Sequence, residues 1–155
     1  MTRSSQKSWL LPFAALALLA GSVLVVASAC SEGESSSGDA EVINGIDILD
    51  KAGLHGIDES INTDKTIPPT ARTTAQKLQA VTELTEWPDD LQDDADALAV
   101  VFKDLAAALD GDAPDITKAG EAAKKAHDAE HDFSHDVWAH LYSEAGVDTG
   151  EESHE

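Results

Sequence analysis

Apolar residues in the middle of the chain recur at helical spacing, most clearly between residues 88 and 110. They advance in alternating steps of four and three, which places them on one face of an α-helix. These residues are Leu91, Ala95, Leu98, Phe102, Leu105 and Leu109. Pro88 suits the first turn of such a helix and Gly111 suits the position after its end, so a helix is predicted over about residues 88–110.

The same periodicity on both sides of this stretch predicts two more helices. The earlier one begins near Pro68–Pro69, and the later one runs from about Pro114 to Gly146. Their apolar positions are Ala71, Ala75, Leu78, Val81 and Leu84, followed by Ala119, Ala122, Ala126, Phe133, Val137 and Leu141. Because a proline disfavours helical geometry in the residue before it, Trp87 is predicted to form the corner of a tight helical hairpin with Pro88.

The stretch Glu41–Asn62 also has apolar residues at helical spacing, but it contains three glycines. Each glycine weakens a helix by ~1 kcal/mol relative to alanine, so this helix is predicted to be bent or broken near Gly53. No segment has the alternating pattern of a strand. The sequence therefore predicts an all-α fold, an antiparallel up-down four-helix bundle. Three helices with a loose first segment are the alternative.

The segments that flank this predicted domain are polar. Residues 31–39 contain no bulky apolar side chain, and such a segment cannot bury enough surface to offset the entropy lost on ordering. We expect residues 30–39 to form a flexible tether, residues 40–145 to form one helical domain, and residues 146–155 to form an acidic disordered tail.

The first 29 residues have the layout of a targeting segment. Arg3 and Lys7 supply positive charge, Trp9–Val26 carries no charge, and the small residues Ala27–Ala29 precede Cys30, the only cysteine. The segment resembles a bacterial lipoprotein signal peptide that ends in a lipobox, with Ala27, Ser28, Ala29 and Cys30 as the matching positions. This resemblance implies cleavage before Cys30, acylation of that residue with a lipid such as palmitate, and a location on the extracytoplasmic face of a membrane.

Two other interpretations of the amino-terminal segment remain open. An ordinary secretory peptide cut near Ala29 would leave Cys30 as a free thiol. An uncleaved membrane anchor is the second, because 18 uncharged residues approach the ~20 that span a bilayer as a helix. Pro12 interrupts that run. If the thiol carries the lipid, no disulfide can form and the fold must be stable without one.

The predicted mature chain is strongly acidic. Removing residues 1–29 takes away Arg3 and Lys7, so the formal net charge changes from −20 to −22. Nucleic acid is excluded as a partner because phosphate binding needs a basic surface. Such a charge attracts cations and basic envelope proteins. The net negative charge also keeps the chain soluble, and solubility alone is the alternative explanation for so many acidic residues.

Four of the six histidines fall within fourteen residues of the last predicted helix, at positions 127, 131, 135 and 140. On a helical wheel, Glu130 falls inside the apolar face, whereas His127 and His131 lie one turn apart on its flank. A carboxylate on a buried face needs a proton, a cation or strong donors, because an unpaired buried charge is very costly. His140, nearer the apolar face, is predicted to be a packed, hydrogen-bonded histidine rather than a ligand.

We therefore predict a metal site formed by His127, Glu130 and His131, with His55 of the first helical stretch as a further ligand. Second-rank ligands are Ser134, His135, Asp58 and Glu59. Zinc, copper, nickel and iron each suit imidazole and carboxylate ligands. Counting ~1.5 Å per residue from the shared end of the two helices puts His55 at ~9 Å and His127 at ~20 Å along the helix axes. The tilt of each side chain toward the start of its own helix has to reduce this difference for the two residues to meet.

The order His127, Glu130, His131 also spells H-x-x-E-H, which resembles the zinc motif of inverted zinc peptidases. That family takes a further acidic ligand from far downstream, but only 24 residues follow His131 here. No serine lies in a nucleophile elbow and no glycine-rich phosphate loop is present, so no enzymatic activity is predicted. The predicted function is a lipid-anchored, metal-binding or small-cation-binding helical protein, and the alternative is a ligand-free scaffold or partner-docking lipoprotein of the cell envelope.

Overall fold

The computed structural model describes the backbone of residues 35–147 and the side chains from residue 38 onward. This part is all-helical, as predicted, with the helices α1 (Ser35–Asp50), α2 (Leu54–Asn62), α3 (Ala71–Leu84), α4 (Gln92–Ala108) and α5 (Ile116–Glu144). None of these helices is long and apolar enough to cross a membrane. The predicted leader, the lipid site at Cys30 and nearly all of the acidic tail lie outside the described residues.

The first helical stretch is broken where the glycine pattern predicts. Gly53 separates α1 from α2 and has a φ angle of 74°, in the left-handed region that side chains with a Cβ rarely adopt. At the other end, α1 begins at Ser35, within the segment predicted to be a tether. Its packed part starts only at Val42, and residues 38–41 are exposed.

The apolar face predicted for residues 91–109 is buried along its whole length. Its six members are between 0 and 6% exposed, and Phe102 and Leu105 are completely covered. They pack into one core with residues from every other helix, among them Ile46, Leu49, Ile61, Leu78 and Val137. α3 contacts α4, α4 contacts α5, α5 contacts both α1 and α2, and α1 contacts α3.

The corner between α3 and α4 is formed by Trp87, as predicted. Its indole is 5% exposed, its Nε1 donates a hydrogen bond to the carbonyl oxygen of Thr82 (2.8 Å), and its ring meets Phe133 edge-on with 4.9 Å between centroids. The two helices are shorter at this corner than the periodicity predicts, because α3 ends earlier and α4 begins later. Thr85 has extended backbone geometry, and Pro88 accepts the backbone hydrogen bond of a turn before α4 begins at Gln92.

Candidate functional site

The last helix begins at a well-defined cap, which sets the position of its histidines. The side chain of Asp115 accepts hydrogen bonds from the backbone N–H groups of Thr117 (2.9 Å) and Lys118 (3.1 Å). These bonds to Lys118 and Thr117 hold the pKa of Asp115 below its ordinary value. From this cap α5 continues without interruption for 29 residues, past all four of its histidines.

His55 of α2 and His127 of α5 are brought into contact. Their ring centroids are 5.1 Å apart, with the ring planes inclined at 58°. Asp58, one turn after His55, places its Oδ2 3.6 Å from Nδ1 of His127. The side chains of His127 and Asp58 are 26% and 21% exposed and His55 is exposed, so the group lies at the surface, open to solvent. We call His55, Asp58 and His127 the imidazole cluster.

A neighbouring contact between α2 and α5 fixes the position of one helix along the other. Nδ2 of Asn62 donates to the backbone oxygen of Gly120 (2.8 Å) and to Oδ1 of Asp58 (2.6 Å). Gly120 is buried, and a Cβ there would overlap the side chain of Asn62. The absence of that Cβ therefore allows the end of α2 to approach α5 closely.

This register removes the height difference expected between the two histidines. Asn62 contacts α5 at Gly120. This contact lies several residues after the start of α5, which is the point from which the sequence-based distances of the two histidines are counted. His55 lies seven residues before Asn62 and His127 seven residues after Gly120, so each is ~10.5 Å from that contact along its own helix. The two rings are therefore level.

The predicted burial of Glu130 is confirmed, since the residue is 8% exposed. Burial raises the pKa of its carboxyl group, and the charge of Asp50 and a hydrogen bond with Asp50 raise it further, while His131 acts in the opposite direction. The folded protein thus holds this proton more tightly than the unfolded chain does. The folded protein is therefore most stable while Glu130 is protonated. Its stability falls as the pH rises from the ordinary carboxyl range through the raised pKa, where the carboxyl group loses its proton.

Asp50, the last residue of α1, is the partner that sequence reasoning missed. Its Oδ1 accepts a hydrogen bond from Oγ of Ser134 (2.5 Å), and its Oδ2 accepts one from Nε1 of Trp138 (3.0 Å). Glu130, Ser134 and Trp138 are spaced four residues apart and line up on α5 against this one carboxylate. We call these four residues the Asp50 cluster. The spacing of the three α5 residues was a usable signal, but the sequence does not show where α1 ends against them.

The remaining predicted ligands are side chains exposed to solvent. The side chains of His131 and His135 are 77% and 62% exposed, beside Asp132 and Asp136 respectively, and Glu59 is exposed. Within residues 38–147, no three His, Cys, Asp or Glu side chains, the imidazole cluster included, are arranged to hold a metal ion without moving. His140 is half-buried with its Nδ1 3.1 Å from Asp90, in agreement with a packed, hydrogen-bonded role.

No protein-family model matches the chain, and neither a curated protein nor a solved structure is significantly similar to it. Interpretation of the site therefore depends on its own geometry. Two features differ from an ordinary solvated helix face: a pair of imidazoles shared between α2 and α5, and a carboxyl pair shared between α1 and α5.

Proposed function

We propose that this chain is a lipid-anchored protein of the extracytoplasmic membrane face whose helical domain binds one divalent transition-metal ion. In this proposal His55 and His127 are the nitrogen ligands and Asp58 supplies a carboxylate oxygen. The observation that carries it is the approach of two imidazole rings from different helices, 5.1 Å between centroids, with a carboxylate 3.6 Å from one of them.

The chemistry of these groups suits such an ion. Two imidazoles and one carboxylate match zinc, copper, nickel or iron, and Asp58 is already oriented by the amide of Asn62, as the second shell of a metal site requires. The three side chains are not arranged to hold an ion in the structure, so binding needs the two rings to turn about their side-chain bonds. The exposed part of His127 gives the ion access from solvent. Because the imidazoles must be unprotonated to bind, affinity is expected to fall in acid.

We further propose that the helices form an up-down four-helix bundle in which α1 and α2 together occupy one of the four positions. The contacts between helices support this arrangement, since they lead from α1 through α3, α4 and α5 back to α1 and α2. Because the first helical stretch is broken at Gly53, the axis of α2 can pack against α5 at an angle that does not depend on α1.

The metal proposal is tested by calorimetric titration of the full-length chain in detergent with Zn²⁺, Cu²⁺ and Ni²⁺. One equivalent is expected to bind to the wild type, and affinity should fall by about tenfold or more in His55→Gln and in His127→Gln. His140→Gln is the matched control, because His140 also pairs with an aspartate from another segment, Asp90, but has no ring contact of this kind. Absence of metal binding, or affinity unchanged in both cluster variants, would refute the proposal.

Lipid attachment needs a separate experiment. Cells that produce the chain would be grown with a palmitate analogue that can be labelled after lysis. The wild type is expected to carry the label and Cys30→Ser is expected to lack it. An unlabelled wild type would contradict lipid anchoring without affecting the metal proposal.

The alternative function is that of a partner-docking protein without a small ligand. A groove with exposed apolar residues between α1 and α3 favours this alternative, since surfaces of this kind mark protein contacts. It predicts that His55→Gln and His127→Gln leave the cellular function intact. A basic envelope protein is the partner that the net charge would attract.

A further inference from the structure

The Asp50 cluster holds the end of α1 on α5 through one carboxylate. The two oxygens of Asp50 accept hydrogen bonds from Ser134 and Trp138, and the carboxylate shares a further hydrogen bond with Glu130. A hydroxyl group and an indole N–H keep their protons at every pH near neutrality, whereas a carboxyl group donates a hydrogen bond only while it is protonated. Of these three contacts, the one made by Glu130 is therefore the one that changes as the pH rises.

Two charged groups act on Glu130, one from each helix of this interface. Asp50 of α1 opposes its ionisation, and His131 of α5 favours it. The side chain of His131 is 77% exposed, so water screens its charge. The charged groups that the other packed segments bring to this part of the molecule lie in other contacts: Lys51 with Asp47, Asp58 of α2 beside His127, and Asp94 of α4 in a groove with Asp132 and Asp136.

Asp50 is the partner that can move when Glu130 ionises. Glu130 is 8% exposed in the middle of the 29-residue helix α5, whereas Asp50 is exposed and is the last residue of α1. The chain then reaches Gly53, which has a φ angle of 74° and no neighbour to restrict it, so it can act as a hinge. The last turn of α1 contains no basic residue, and a negative charge is unfavourable at that end of a helix. Asp50 therefore depends on its partners in α5.

We infer that Glu130 and Asp50 form a proton-operated latch, which fixes the last turn of α1 on α5 while Glu130 is protonated and releases it when the proton leaves. Two carboxylates in contact repel each other, and a buried charge without a partner is costly. Moving Asp50 into water and admitting water to Glu130 relieves both effects. The released turn contains Ile46 and Leu49, which are 0 and 1% exposed in the closed form, so opening uncovers apolar surface. The latch is closed in the ordinary carboxyl range and opens as the pH rises.

The indole N–H groups of Trp138 and Trp87 provide the measurement and its internal control. Trp138 donates to Asp50, whereas Trp87 donates to a backbone carbonyl oxygen of α3. NMR spectra of the full-length chain are recorded in detergent with EDTA, which removes metal ions, and Trp9→Phe and Trp138→Phe assign the indole signals. As the pH rises, the Trp138 signal is expected to move toward that of an indole without a hydrogen bond, while the Trp87 signal stays in place. Relative to the intrinsic rate at each pH, the amides of residues 46–50 should exchange about tenfold faster for each unit by which the pKa is raised.

Three substitutions test whether the carboxyl pair causes the opening. Glu130→Gln places a permanent donor next to Asp50, and Asp50→Asn replaces the repelling charge by an amide that donates to ionised Glu130. Each is expected to keep the Trp138 signal and the exchange of α1 constant over the pH range. Glu121→Gln, at an exposed position of the same helix, is the matched control and should respond as the wild type does. A wild type that does not respond to pH, a wild-type response in either latch variant, or opening that also changes the Trp87 signal and the amides of α4 would overturn the inference.

Discussion

Replacing Gly120 by alanine tests the contact that brings the imidazole cluster together. The new Cβ would overlap the side-chain oxygen of Asn62 and displace the amide that bonds to Gly120 and Asp58. Alanine in a helix interior is favoured over glycine by ~1 kcal/mol. Against this, the exposed amide of Asn62 has to swing away from the new Cβ, and the hydrogen bond that it loses costs ~1 kcal/mol. We therefore expect Gly120→Ala to leave the free energy of unfolding within about 1 kcal/mol of the wild type, without the gain that alanine gives in an open helix position.

The diagnostic result is a difference between two backgrounds. In an Asn62→Ala background the overlap is gone, and Gly120→Ala should then raise stability by ~1 kcal/mol. Gly56→Ala is the matched control, because Gly56 lies in α2, where an added Cβ would have no neighbour within 4 Å, and the substitution should be stabilising in either background. Such a cycle isolates the coupling between the two residues.

The wild type, the two single variants and the double variant would be compared by urea and thermal unfolding of the full-length chain, followed by circular dichroism. A change of 1 kcal/mol shifts the midpoint by about 4 °C in a domain of this size. Metal affinity should weaken in Gly120→Ala as well, because the amide of Asn62 that orients Asp58 is displaced. If Gly120→Ala raises the midpoint equally in the wild-type and Asn62→Ala backgrounds, the close approach of Asn62 and Gly120 is contradicted, and the level placement of the two histidines loses its basis.

Three further predictions concern the Asp50 cluster and the corner of the helical hairpin. Glu130→Gln should stabilise the protein at neutral pH and flatten the loss of stability as pH rises above the carboxyl range, whereas an unchanged pH profile would contradict the raised pKa. Asp50→Ala leaves two α5 donors without their acceptor and should cost about 1 kcal/mol, since water can replace it in part; urea unfolding measures this. Trp87→Phe leaves the buried carbonyl of Thr82 unpaired and should cost about 1–3 kcal/mol, and a midpoint within about 1 °C of wild type would argue against that bond.

Much of the local structure could be predicted from the sequence, because helical periodicity depends only on residues close in the chain. The face containing Leu98 and Phe102, the break at Gly53 and the corner at Trp87 all follow from spacing and from the geometry of glycine and proline. The burial of Glu130 is of the same kind, since its angle on the helix is set by its neighbours in sequence. The helix ends were predicted less well, because turn residues such as Pro88 belong to no periodic pattern.

What a side chain meets across a helix interface depends on register, and only the tertiary structure decides register. Glu130 faces Asp50 because α1 stops beside it, and His127 meets His55 because Asn62 can close on a residue without a side chain. Neither contact can be recognised from residues that are close in the sequence. Sliding one helix along another would change which side chains meet, but it would leave the apolar periodicity of each helix unchanged. The sequence thus determined which residues are buried, and packing between helices determined which polar groups share the same space.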